Sequence, residues 1–183
     1  MTGNFVTLRA LTEVRMHDLR QYVVEIADFP KPGILFRDIS PLLRRHFRET
    51  VEAVEGLFTE REWSEVDAVA GIESRGFILA SALAERRDKG FVPIRKKGKL
   101  PPPVVDIAYD LEYGTGVLEM QAGQGRLLLI DDVLATGGTL LASAALSRQA
   151  GYAVQGIGVL IDIGIAPGFR CEEHLPRVVL QYG

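Results

Sequence analysis

The chain has 183 residues, 47% of them hydrophobic and 25% charged, the size and balance of one ordinary globular core. A formal net charge of −3 gives no clustered cationic footprint for phosphate backbones, so no nucleic-acid partner is expected. The single cysteine, Cys171, excludes an internal disulfide, and charges interrupt the apolar stretches too often for a leader's apolar region or a bilayer span, so a cytoplasmic protein with no membrane partner is expected.

Leu19, Val23, Ile26 and Ala27 recur at helical spacing and meet the prolines of FPKPG, which predicts a helix over 17–28. Residues 29–43 carry Pro30, Pro32, Gly33 and Pro41 around Ile34, Leu35 and Phe36, and are expected to form an ordered flap with little regular structure. Phe47, Val51, Val54, Leu57 and Phe58 predict a helix over 47–60. A strand is expected at 66–72, a helix at 75–88 and a strand at 90–95. From Arg95 to Gly116 a basic cluster, three consecutive prolines and several glycines break the pattern. A connection of that length is expected to be a functional lid, over about 95–116.

Strands are then predicted at 117–121 and 126–130, a helix at 139–149 ended by Gly151, a buried strand at 154–161 and an edge strand at 177–182. Strands of nearly continuous apolar residues alternating with helices make this an α/β chain, with a mostly parallel central sheet and helices on both faces. One domain over 1–183 is expected, with a small N-terminal helix and flap (1–45) before an α/β core (46–183).

In such sheets ligands bind beyond the carboxyl ends of strands. The strand LLLI ends on Asp131 and Asp132, and Ala135-Thr136-Gly137-Gly138-Thr139 opens the next helix. The glycines let backbone N–H groups approach an anion, the helix dipole favours negative charge, and the threonines add hydroxyl donors. Adjacent carboxylates beside an anion site suit sugar hydroxyls or a magnesium ion. No Gly-x-x-x-x-Gly-Lys-Ser/Thr and no Gly-x-Gly-x-x-Gly after a strand is present, which disfavours a generic ATPase or dehydrogenase.

The segment LLLIDDVLATGGT at 127–139 resembles the phosphoribosyl pyrophosphate signature of the type I phosphoribosyltransferases. FPKPGILFRDISPLL at 29–43, AGIESRGF at 70–77, PIRKKGKLP at 93–101 and YDLEYGTGVLE at 109–119 follow the order and approximate intervals of that family's adenine-using members. The resemblance implies that family's fold, with the flap as a small N-terminal hood, and a homodimer. It implies Asp131 and Asp132 on the ribose hydroxyls and Ala135, Thr136, Gly137, Gly138 and Thr139 around the 5-phosphate. Glu73, Ser74 and Arg75 match the pyrophosphate loop, where the family often holds a cis peptide at Glu73–Ser74. Lys99, with Arg95 as a second cation that a partner subunit could supply, matches the basic loop.

Glu112 in LEYG takes the position of the family's proposed general acid or base on the lid, able to handle the proton of a purine ring nitrogen. Leu35 and Arg37 match the base-covering flap, and Ile163 the opposite face of the base. That last register is counted forward from TGGT, because LIDIG departs from the usual pattern. The implied reaction is magnesium-dependent transfer of phosphoribosyl from phosphoribosyl pyrophosphate to adenine, giving AMP and pyrophosphate. Magnesium is expected mainly through the substrate, with Asp131 and Asp132 as candidate further ligands. The alternatives are transfer to guanine, hypoxanthine or xanthine, and a non-catalytic phosphoribosyl pyrophosphate sensor, whose usual DNA-binding partner domain does not fit in the 28 residues before Phe29.

Overall fold

Runs in which every residue is apolar can be buried only where both faces of a sheet are covered. Such runs lie within Ala68–Ile72 (β3), Gly125–Leu134 (β7) and Tyr152–Asp162 (β8), each with consecutive buried residues. A computed structural model describes residues 19–111, 114–171 and 173–182. These form two compact units, one through Ala53 and one from Val54.

The second unit holds a seven-stranded sheet in the order β5-β6-β4-β3-β7-β8-β9, in which β4 is Gly90–Lys96, β5 Val105–Leu111, β6 Gly114–Met120 and β9 Arg177–Gln181. The β4-β3-β7-β8-β9 portion is parallel, and β6 joins β4 and β5 antiparallel. Between β3 and β4 runs a helix, Arg75–Arg86, and between β7 and β8 another, Gly138–Gln149. Leu127, Leu129, Ile94, Leu118, Met120 and Ile157 lie in the core cluster, each at most 1% exposed. Among the described residues no helix is long and apolar enough to cross a membrane.

In the first unit the helix predicted over 17–28 is not formed at 24–27. Val24–Ala27 (β1) pairs antiparallel with Leu35–Asp38 (β2), Val24 opposite Asp38 and Ala27 opposite Leu35. A helix of the predicted length is marginal without strong packing of one face. A turn whose Asp28 carboxylate accepts from Gly33 N at 2.7 Å brings a pairing partner instead. The flap is also more regular than expected: β2 leads into a helix, Ser40–Arg45 (α1), with a proline in its first turn.

The helix expected over 47–60 is two helices. Phe47–Glu55 (α2) ends before Thr59, whose side chain and Glu62 form a capping box for Glu60–Ser64 (α3). The two long helices are thus α4 (75–86) and α5 (138–149). The stretch expected to be irregular contains the β5–β6 hairpin, paired from Val105 opposite Met120 to Leu111 opposite Gly114.

Candidate active site

β3 and β7 are parallel neighbours, Ala68 opposite Leu127 and Gly71 opposite Ile130, so the chain leaves both strands at one edge of the sheet. After β3 it passes a cis peptide at Glu73–Ser74 and enters α4 at Arg75 with no side-chain cap. Arg75 Nη2 lies 2.6 Å from Asp132 Oδ2. Behind it, a Cβ placed on Gly76 would fall 2.9 Å from the Ile130 carbonyl and 3.0 Å from Asp131 Oδ1, so the helix start and the acids are in direct contact. The family resemblance to the SRGF block does not single out Gly76. Its role follows from that close approach.

Asp131 and Asp132 are 8% and 7% exposed, and Asp131 Oδ1 accepts from Asp132 N at 2.9 Å. Burial pushes the Asp131 carboxyl well above the usual carboxylate range, and the adjacent Asp132 charge pushes it further. Burial also raises Asp132, where the Arg75 guanidinium works in the opposite direction. Two buried acids with little water are prepared to accept hydrogen bonds from hydroxyls or to meet a cation. No three Asp, Glu, His or Cys side chains gather into a metal cage among the described residues. The two carboxylates are of the oxygen-donor type that a magnesium ion accepts.

Past Leu134 the chain turns through residues 135–137 into α5. Gly137 has φ +87°, the left-handed region, and is the N-cap of α5 with no side-chain capping bond. The first-turn N–H groups of that helix have no side-chain cap, while Thr136 is exposed and Gly138 and Thr139 half-buried. A Cβ at Gly137 would collide with the Phe169 ring, so Phe169 braces the loop from behind. Phe169 lies beyond LIDIG, and no motif marks it.

The basic stretch is tied to the pyrophosphate-loop match. Glu73 accepts from Lys96 N at 2.9 Å and lies 3.4 Å from Arg95 Nε, while Arg95 Nη1 donates to the Lys99 carbonyl at 3.1 Å. The Arg95 guanidinium also sits 5.8 Å from the Phe77 ring centre. Lys97 is drawn off by Asp106 at 2.8 Å, and the Lys99 side chain is exposed. The buried carboxylate of Glu119 accepts from three backbone N–H groups of this loop. No motif announces it, because its partners are main-chain atoms.

The structure thus brings together Glu73, Ser74, Arg75, Asp131 and Asp132 at one edge, with residues 135–139 following on from β7 and Arg95 and Lys99 linked through Glu73. Ile163, half-buried, donates its N–H to the Leu134 carbonyl at 3.1 Å, just before that same loop. Asp162 serves the turn, accepting from Gly164 N and Gln181 Nε2, each at 2.8 Å. Leu35, 46% exposed, and Arg37, paired with Glu25 at 3.1 Å, belong to the first unit. Glu112 lies outside the described residues.

Residues 47–169 match the phosphoribosyl transferase domain. An adenine phosphoribosyltransferase of Hydrogenovibrio crunogenus is 50% identical over 170 residues, covering 92% of this chain and 99% of its own. One from Thermobifida fusca is 47% identical over 165 residues, 88% of this chain and 92% of its own. The crystal structure of the enzyme from Rhodothermus marinus matches with a TM-score of 0.81 at 41% identity, over 92% of this chain and 99% of that one. That from Saccharomyces cerevisiae, complexed with adenine and an imino-altritol bisphosphate, matches at 0.84 and 29% identity, with the same coverage. The chain belongs to the phosphoribosyl transferase family and, within it, to the adenine phosphoribosyltransferases.

Proposed function

We infer that the protein transfers the phosphoribosyl group of phosphoribosyl pyrophosphate to N9 of adenine, giving AMP and pyrophosphate. The bond from the anomeric carbon to the pyrophosphate oxygen breaks, the bond to N9 forms, and the N9 proton departs. The observation that carries this reading is the 2.6 Å pair of Arg75 and Asp132, which sets an anion-binding guanidinium against a buried sugar-type acid at one strand edge. Close relatives across nearly the whole chain carry the name of that activity.

In this reading Asp131 and Asp132 accept from the ribose hydroxyls. Residues Ala135 to Thr139 hold the 5-phosphate on the N-terminus of α5. Glu73 and Ser74 shape the pyrophosphate loop, and Arg75, Lys99 and Arg95 draw off the charge that develops on the leaving group. Magnesium, when bound mainly through the substrate's own oxygens with Asp131 and Asp132 as candidate further ligands, would supply neutralisation of the pyrophosphate charge. Glu112 takes the N9 proton, and the 95–116 segment closes to exclude water that would otherwise attack the sugar cation. Leu35 and Arg37 are assigned to the base by the family resemblance, as is Ile163. A cytoplasmic homodimer, each chain one catalytic domain, is part of the same proposal, and sedimentation tests its assembly.

The decisive experiment incubates the protein with phosphoribosyl pyrophosphate, magnesium and, separately, adenine, guanine, hypoxanthine and xanthine, and identifies the nucleotide formed. AMP from adenine, with slower or no product from the 6-oxo purines, is expected. No AMP would overturn the reading.

A further inference from the structure

Glu119 lies on β6, opposite Arg95 of β4 and Asp106 of β5, and is 3% exposed. A carboxylate so placed needs partners, and it finds them in the loop that leaves β4. Lys97 N still donates to the Val117 carbonyl at 3.0 Å, and the chain then reverses at Gly98, whose φ is +82°. The next three N–H groups converge on one carboxylate: Gly98 N on Oε2 at 2.9 Å, and Lys99 N and Leu100 N on Oε1 at 2.6 and 2.7 Å. Successive N–H groups of this kind make an anion-binding concavity. Here the anion belongs to the chain itself. The Gly98 N–H, followed by those of Leu100 and Lys99, holds the Glu119 carboxyl below the usual carboxylate range against the opposing effect of burial, so it stays charged at neutral pH. The Lys99 carbonyl is tethered separately, by Arg95.

We propose that Glu119 is a positioning residue for pyrophosphate: by filling this backbone nest it fixes the Lys99 main chain, directs the exposed ammonium outward, and keeps the three N–H groups from capturing a substrate phosphate themselves. The proposal rests on the assignment of Lys99 to pyrophosphate. A glutamine at 119 would offer one acceptor oxygen to three donors and set its own N–H groups against them, so the loop would lose its fixed form while β6 kept a side chain of the same size.

The test compares wild type, Glu119→Gln and Gly98→Ala. The second variant lies in the exposed loop, and its Cβ would meet nothing within 4 Å, so it perturbs the nest through φ alone. In both, KM for phosphoribosyl pyrophosphate should rise about tenfold and the affinity for magnesium pyrophosphate, measured by calorimetry, should fall by a similar factor. KM for adenine should stay within about twofold, because the change removes pyrophosphate positioning and not base binding. Backbone amides 98–100 should lose hydrogen-exchange protection in Glu119→Gln.

An unchanged or lowered KM for phosphoribosyl pyrophosphate in Gly98→Ala, or in folded Glu119→Gln, overturns the proposal, as does an equal rise in KM for adenine. If Glu119→Gln does not fold, Gly98→Ala decides alone. Wild type that makes no AMP defeats the proposed reaction instead, and calorimetry with magnesium pyrophosphate then still decides the role of the nest.

Discussion

Arg75 and Asp132 join the first turn of α4 to the end of β7, with Nη2 and Oδ2 2.6 Å apart and side chains 31% and 10% exposed. The guanidinium is therefore already oriented, and under the proposed function an arriving pyrophosphate would find a fork held in place rather than a swinging cation. Arg75→Lys keeps the charge and loses the fork. We expect kcat/KM for phosphoribosyl pyrophosphate to fall about 100-fold with KM for adenine nearly unchanged, in steady-state assays varying each substrate. A lysine variant of wild-type efficiency would remove Arg75 from the leaving-group site.

The Asp131 carboxylate is held in the fold at a cost to stability. Its folded pKa is raised above the ordinary 3.8, so the stability linked to this group is fully present below that value and is lost as pH rises through the raised one. Asparagine resembles the protonated acid, and its carbonyl oxygen can still accept from Asp132 N. Asp131→Asn should therefore be about 1 kcal/mol more stable than wild type at neutral pH, with the gain vanishing below about pH 4, while turnover falls at least about tenfold. Urea unfolding at several pH values, beside activity assays, checks both halves.

The parallel half of the sheet was legible because burial on both faces writes itself as unbroken apolar runs, as at 127–130 and 157–161, and because Asp131, Asp132 and the two glycines follow such a run directly. Val24–Ala27 was not. Its apolar spacing fits a helix as well as a strand, and a partner on the far side of the Pro30–Gly33 turn decides between them. In β5 the alternation of Val105, Ile107 and Tyr109 with Asp106 and Ala108 was visible, but the neighbouring prolines and glycines drew attention to a loop; these three apolar residues pack on the core. Glu119, Gly76 and Phe169 act through backbone atoms and close approach, which leave no residue pattern to read.

The brace that Phe169 gives the loop at Gly137 can be separated from the loop's own backbone requirement. Gly137→Ala incurs both a left-handed φ and a collision with Phe169, whereas Phe169→Ala only withdraws the ring. Gly137→Ala should raise KM for phosphoribosyl pyrophosphate more than tenfold. It should also lower stability by about 2 kcal/mol. In the double variant the collision is gone and only the φ strain remains, so the two stability losses should add to more than the double variant shows. Strict additivity would mean that ring and loop are independent.

A last prediction concerns the fold rather than the site. Glu62 caps α3 and also pairs with Arg177 at the start of β9, whose Nη1 lies 2.9 Å from Glu62 Oε2 and 2.7 Å from the Leu57 carbonyl. Arg177 foremost, then the Thr59 backbone, lowers the Glu62 pKa from 4.5 to about 2. A carboxyl lowered on folding contributes stability that is fully present above 4.5 and is lost as pH falls toward 2. The side chains are 43% and 33% exposed, so solvent screening limits the pair to about 1 kcal/mol. Arg177→Met preserves the capping box and the apolar contact with Phe58, above which the guanidinium lies at 5.0 Å. The variant should be about 1 kcal/mol less stable at pH 7, with the gap closing as pH falls through 4.5. Urea unfolding across that range separates the two partners of Arg177: a gap constant with pH would assign the loss to the Leu57 carbonyl instead of to Glu62.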